Sequence, residues 1–257
     1  MSFLRSAARA ATSRGAIAAV ALIVAALPCT ASAQVEGHGF LFGTPQANLS
    51  LRLGYALPSA RSDLFTFTTD QLTLGRGDFG GPTVDADFGI RVAERTDVTV
   101  SASYSGMSRR SEFRNFIDNN NQPIEQTTRF QRVPLTVGLK QYLTPRGRQI
   151  GRYAWVPQRV TPYIGAAIGT EWYRFRQEGD FVDFADSSIY SAVNETSGWG
   201  LTTHGDAGLE YTLTPAIALS GQLTYTWANA PVDGDYSGFS RIDLSGLSTT
   251  FGVAFRF

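Results

Sequence analysis

The residues Leu247-Ser248-Thr249-Thr250-Phe251-Gly252-Val253-Ala254-Phe255-Arg256-Phe257 end on an alternation. Phe251, Val253, Phe255 and Phe257 fall on one side, and Gly252, Ala254 and Arg256 on the other. A period of two is that of a β-strand with one apolar face. A chain end is ordinarily polar and frayed, so an aromatic at this position raises the question of what the apolar face touches.

Seven earlier stretches repeat the pattern. Leu49, Leu51, Leu53, Tyr55 and Leu57 alternate with Ser50, Arg52, Gly54 and Ala56, and Val84 to Val92 with Asp85, Asp87, Gly89 and Arg91. Val98, Val100, Ala102 and Tyr104 share a face; Val133, Leu135, Val137 and Leu139 oppose Pro134, Thr136, Gly138 and Lys140. Ile164, Ala166, Ile168 and Trp172 oppose Tyr163, Gly165, Gly169 and Glu171. Trp199, Leu201, Ala207, Leu209 and Tyr211 oppose His204, Asp206 and Glu210, while Ile217, Leu219, Leu223, Tyr225 and Trp227 oppose Ser220, Gln222, Thr224 and Thr226. Each run is close to the roughly 9–11 residues a tilted strand needs to cross a bilayer.

The connections alternate too. Glu94-Arg95-Thr96 and Thr212 to Pro215 are short, whereas 58–82, 108–128, 176–197 and 228–241 are long, polar and rich in turn-forming residues, whose content favours mobility. An even number of antiparallel strands with short turns at one end and long loops at the other is the outer-membrane pattern. The segment 144–159 departs from it: it belongs to the short-turn end, yet it is long and carries Arg146, Arg148, Arg152 and Arg159. Tyr142 to Pro145 and Tyr211 to Pro215 each set an aromatic and a proline at that edge. Tyr55, Tyr104, Trp172, Trp199, Tyr225 and Trp227 are expected to girdle the opposite one.

Residues 1–33 read as a cleaved secretory signal peptide: Arg5, Arg9 and Arg14, an apolar run from Ala16 to Leu27 too short to span a membrane, then Ala31-Ser32-Ala33. Cleavage there removes Cys29, the one cysteine, and with it any disulfide or thiolate metal site. It also turns 22 basic against 22 acidic residues into 19 against 22, a balance with no polybasic patch for nucleic acid. Residues 34–46 form a lead segment whose Phe40-Leu41-Phe42 is expected either to plug the barrel floor or to enter the first strand, and 47–257 form the barrel.

Soluble barrels and sandwiches also alternate, so the polar face decides which solvent the apolar face meets. It carries Arg52, Asp85, Asp87, Arg91, Lys140, Glu171, Asp206, Glu210 and Arg256 among small residues. Near-balanced charge with small neighbours suits a narrow closed interior, where an unpaired charge costs several kcal/mol but a hydrogen-bonded network is tolerated. About eight strands leave an interior that side chains fill. The expected fold is all-β: an eight-stranded antiparallel up-and-down transmembrane β-barrel whose lumen holds a charge network.

On these residues the chain resembles the small outer-membrane β-barrel proteins of Gram-negative bacteria, similar to the membrane domain of outer membrane protein A and its relatives, over residues 47–257. The resemblance implies that Phe251, Val253, Phe255 and Phe257 are the signal read by the barrel assembly machinery during insertion; Thr249 departs from the hydrophobic residue often found one step earlier. It further implies outer-membrane lipid and lipopolysaccharide as partners.

Enzyme chemistry has one foothold. His204 faces inward with Asp206, beside Ser220, Gln222 and Thr224 on the next strand, but it is followed by Gly205 and lacks the His-x-Ser arrangement of outer-membrane lipid A deacylases. His38 lies before the first strand with nothing to orient it. No enzyme activity, cofactor or metal is expected. In the loops, Glu178, Asp180, Asp183, Asp186 and Glu195 offer carboxylates for divalent cations, and Arg109, Arg110, Arg114, Arg129 and Arg132 offer guanidinium groups for lipopolysaccharide phosphates. Arg146, Arg148 and Arg152 are placed to meet anionic headgroups or a periplasmic partner. The expected role is structural or interactional, with a narrow solute passage and a lipid-acting enzyme as alternatives.

Overall fold

The computed structural model describes residues 39–118, 120–184 and 188–257. The signal-peptide reading of 1–33, Cys29, His38, the first part of the lead segment and Asp186 therefore lie outside the described residues.

Each alternating stretch is a strand, and several run further than the alternation of one face suggests. The long strands are β2 (Ala47–Pro58), β3 (Gly81–Ala93), β4 (Thr96–Ile117), β5 (Pro123–Tyr142), β8 (Val160–Val182), β9 (Ile189–Thr214), β10 (Ile217–Ala230) and β12 (Gly246–Arg256). Each pairs antiparallel with the next, and β12 pairs back onto β2 from Arg256↔Asn48 to Gly246↔Pro58. The last strand therefore has partners on both edges. Phe257 is fixed as well, its amide donating to Ala47 O at 3.0 Å and its ring stacked on Phe88.

The ring is turned inside out relative to a soluble barrel. Leu53, Val84, Val137, Leu139, Ile168, Leu201 and Phe251 are all more than half exposed, whereas Arg52, Lys140, Glu171 and Glu210 are buried. Leaving so many large apolar groups in contact with water is unfavourable by about 25 cal/mol per Å²; in lipid that penalty vanishes. Trp172 faces Trp199 across β8 and β9, and Tyr225 packs edge-on against Trp227, at one rim of this apolar band. At the other rim Tyr211 receives the Arg159 guanidinium, Nη2 donating to its hydroxyl at 2.7 Å.

Two expectations are overturned at the ends. The stretches 108–128 and 176–197, read as long loops, are continuing strands over most of their length, with the Asp118 amide donating to Gln122 O and the Asp183 amide to Ser188 O at their outer ends. The sequence 58–82 holds a helix, α1 (Asp63–Gln71), and a 3-10 turn at Arg76–Phe79; 228–241 holds another at Gly234–Tyr236, followed by the short strand β11 (Ile242–Asp243). The reason is that inward-facing positions turn apolar above the girdle, so the protruding strands have a core to fold around. At the opposite end, 144–159 folds into β6 (Gly147–Ile150) and β7 (Ala154–Pro157), and β1 (Leu41–Phe42) adds a third strand through Leu41↔Trp155. The Phe40-Leu41-Phe42 segment thus joins a small sheet in which Trp155 is buried and Phe42 exposed, rather than entering the first wall strand.

Candidate functional site: a layered lumen and its cap

The interior is a stack of polar layers, each made by side chains that the period of two sends inward from neighbouring strands. Lowest, Asp97 accepts from Asn48 Nδ2 at 2.7 Å and from Arg146 Nη1 at 2.9 Å. Arg146 therefore turns into the barrel rather than toward headgroups or a partner, because Asp97 is fully buried and needs a counter-charge. Above it, Glu210 accepts from Arg256 Nη2 at 2.7 Å and from the Tyr142 hydroxyl at 3.0 Å. Tyr142 thus points inward, not to the membrane edge, its ring against Tyr163.

The middle layer is the densest. Arg52 bridges Asp85 and Asp87, the latter at 3.4 Å, while Lys140 Nζ reaches Asp87 at 3.1 Å and lies over the Tyr163 ring. Tyr163 donates to Gln222 Oε1 at 2.9 Å. Higher still, the Arg132 Nη1 donates to Leu244 O at 2.7 Å, and its Nε stands 3.9 Å from Glu171. Of the nine charged residues placed on the inner face, eight stand in these layers or beside them. Arg91 is the ninth: at the rim its Nε donates to Ala93 O, and it shares a small cleft with Arg146 and Arg256. Sequence reasoning missed Asp97, Arg146 and Arg132 as members. Asp97 shares the inward parity of Thr99 and Ser101, which was the available signal; Arg146 sits in an irregular turn, where parity gives none.

His204 faces the lumen 3.7 Å from Asp206 Oδ1. It lines a cavity of about 50 Å³ with Asp85, Asp87, Lys140 and Thr226, room for ordered water. No serine or threonine hydroxyl is hydrogen-bonded to its ring among the described residues. The described residues also hold no cluster of three metal-ligating side chains.

Over the Arg132 layer the interior becomes apolar. Phe65 on α1 is fully buried, its ring centroid 4.7 Å from Phe79, 5.4 Å from Phe130 and 5.8 Å from Phe175. Leu64, Leu72, Leu74, Met107, Phe113, Ile124 and Ile242 complete this cap. Ser240 donates to Asp63 through its amide and hydroxyl, each at 2.8 Å, tying α1 to the 231–245 connection. These donors hold the Asp63 carboxyl below the usual carboxylate range. Arg114 donates to Thr69 O and Leu74 O and so secures the end of α1, while Arg132 is buried.

On the outer face of the cap the charges pair in a ladder across strands. Arg110 meets Glu125; Arg174 meets Glu195 at 2.7 Å; Arg176 meets Glu178 at 2.9 Å, and Arg129 approaches the same carboxylate at 3.8 Å. Two of the five loop carboxylates proposed for cations are thereby occupied by arginines, and Asp180 accepts from Ser191. Arg109 is exposed.

No protein-family model matches the chain, and no curated protein matches it. Solved structures similar to it include the outer membrane protein OprG from Pseudomonas aeruginosa, at 15% identity and a TM-score of 0.47 over 84% of this chain and 98% of that one. The attachment invasion locus protein Ail of Yersinia pestis, solved with the heparin analogue sucrose octasulfate, follows at 12% identity and a TM-score of 0.42, covering 82% and 99%. Neisserial surface protein A stands at 14% and 0.40, covering 82% and 96%. A ring of strands closed on itself, apolar outside and ion-paired within, meets the demand that a bilayer leave no strand edge unpaired, and the described residues accordingly have the build of a membrane-spanning β-barrel.

Proposed function

We propose that this barrel does not catalyse or conduct, and that its role is to hold a folded, rigid cap at the cell surface for interaction. The observation that carries the reading is the double closure: a buried Arg52–Asp87–Lys140 layer within the membrane span and an apolar cluster around Phe65 above it. A layer of paired charges resists removal because breaking one partner leaves a buried charge exposed to a cost of about 3–5 kcal/mol. Lipopolysaccharide is the natural neighbour: Arg174 lies two residues beyond Trp172 on β8, and Arg176 with its cross-strand neighbour Arg129 four, on the outer face where guanidinium groups suit phosphates. In the same reading the outward Phe251, Val253, Phe255 and Phe257 serve recognition by the assembly machinery.

Purified protein in a planar bilayer is expected to give no current steps, and to gain them when Arg52→Gln and Phe65→Ala are combined. Steady conductance of the unaltered chain would overturn the reading.

A second reading, a sideways exit for hydrophobic solutes, has one observation in its favour. The β4–β5 ladder runs from Thr96↔Gln141 to Ala102↔Leu135, skips the pairing of Ser103 and Tyr104, and resumes at Ser105↔Arg132. Pro134 sits in the gap and has no N–H to donate. If solutes leave there, Pro134→Val should slow the uptake of a hydrophobic reporter by cells; unchanged uptake removes this reading.

A further inference from the structure

The cap contains a cleft that neither closure needs. It has a volume of about 330 Å³ and is lined from all four of the long connections: Phe67 on α1, Phe113 and Gln126 on β4 and β5, Phe184 and Tyr190 beside the β8–β9 turn, and Tyr236 with Phe239 from the last. That volume is at the lower end of small-molecule sites, about 300–1,000 Å³. Phe67 and Phe239 meet edge-on at 5.4 Å, Tyr236 and Phe239 at 6.1 Å, and Phe181 stacks on Tyr190 at 6.0 Å. Phe67, Phe184 and Tyr190 remain between 42% and 55% exposed, so their faces are open rather than spent on the core.

The charges around the cleft have one sign. Asp183 and Asp235 line it, and no lysine or arginine does among the described residues. Gln126 also lines it; the residue is 3% exposed, and its Oε1 has no hydrogen-bond donor. Tyr236 cannot supply that donor, because its hydroxyl is committed to Gln177 Oε1 at 2.6 Å, and burial pushes the phenol up so that it keeps its proton. A box of ring faces with two carboxylates and an unpaired carbonyl oxygen is the environment that attracts a cation with an apolar body, through the quadrupoles of the rings and the charge at the rim.

We infer that the cleft between α1 and the β8–β9 turn binds a small organic cation of the alkyl- or arylammonium class. The anionic rim sets the sign, the rings hold the apolar part, and the volume limits the ligand to roughly one ring with a substituted ammonium group. The inference is independent of whether the barrel conducts: a current through the lumen would remove the proposed role and leave the cleft as it stands.

The test is calorimetry on the full chain in phosphatidylcholine nanodiscs with three water-soluble probes sharing one ring: benzyltrimethylammonium, benzyl alcohol and benzylsulfonate. The cation should bind saturably, with the alcohol at least about tenfold weaker and the sulfonate not bound. Asp235→Asn and, separately, Phe184→Leu should each weaken the cation several-fold while the unboiled protein still migrates as a folded barrel. Asp235 also accepts from the Glu195 amide, so if its variant loses that migration, Phe184→Leu alone carries the test. Equal binding of all three probes, no saturable binding of the cation, or a cation affinity unmoved by the folded variants would each overturn the inference.

Discussion

The same strands build two interiors of opposite character. Within the apolar band, β5 and β8 send Thr136, Lys140, Tyr163 and Glu171 inward and Val137, Leu139, Ile164 and Ile168 outward. A few residues further along the same strands, Ile124, Phe130, Tyr173 and Phe175 are buried inside while Arg129, Arg174 and Arg176 stand outside. The side-chain period never changes; the solvent does. Below the girdle lipid takes the apolar face and the polar face must satisfy itself, whereas above it water takes the polar face and the apolar residues close on one another. The upper part is, in effect, a small water-facing barrel continuous with a membrane one, and α1 is its lid.

That contrast can be broken from either side. The largest effect is expected from Phe65→Ala, which empties the centre of the cap and should cost about 3–5 kcal/mol; limited proteolysis should then cut within 59–80 while the membrane band stays resistant. Arg52→Gln strikes the other interior at a comparable cost, about 3–5 kcal/mol, by leaving Asp85 without its partner; it should lower the temperature at which the unboiled form is lost on a gel without exposing α1 to protease. Next, Ile168→Arg on the lipid face should cost about 2–4 kcal/mol in folding measurements into lipid, while Val193→Arg, on the outer face of the protruding part of β9, should be near neutral. If the two arginines behave alike, the boundary between the solvents lies elsewhere. Smallest is the effect of acid on the lid. Asp63 is held below its ordinary value, so its tie to Ser240 is fully present above the unfolded pKa of about 3.9 and is lost as pH falls through the lower folded value. Amide exchange near Ser240 should rise only in that acid range, and Asp63→Asn should remove the pH dependence.

Much of the membrane part was legible in the sequence because one face is uniformly apolar for nine or so residues at a time. The cap was legible in principle and hidden in practice. Met107, Phe113, Ile124, Phe130, Tyr173 and Phe175 keep the alternation, but on the opposite parity and amid Arg, Asn and Gln; the polar outer residues made the whole stretch resemble a loop. Similarly, Tyr142 has the composition of an interface residue, although it continues the inward parity of Gly138 and Lys140, and register sets it opposite Tyr163. Arg132 and Arg146 escaped because a buried arginine is identified by its counter-charge. Glu171 and Asp97 lie on other strands, brought near by the pairing of β5 with β8 and of β4 with β5.

The central claim is that 107–117, 123–132, 173–182 and 189–198 are folded strands outside the membrane and not surface loops. Hydrogen exchange of the intact protein in nanodiscs measures this directly, residue range by residue range. Protection of those amides for minutes or longer, approaching that of 134–141 and 162–171 within the bilayer, is the expected result. Exchange within seconds across all four ranges, with the bilayer segments protected, would contradict it.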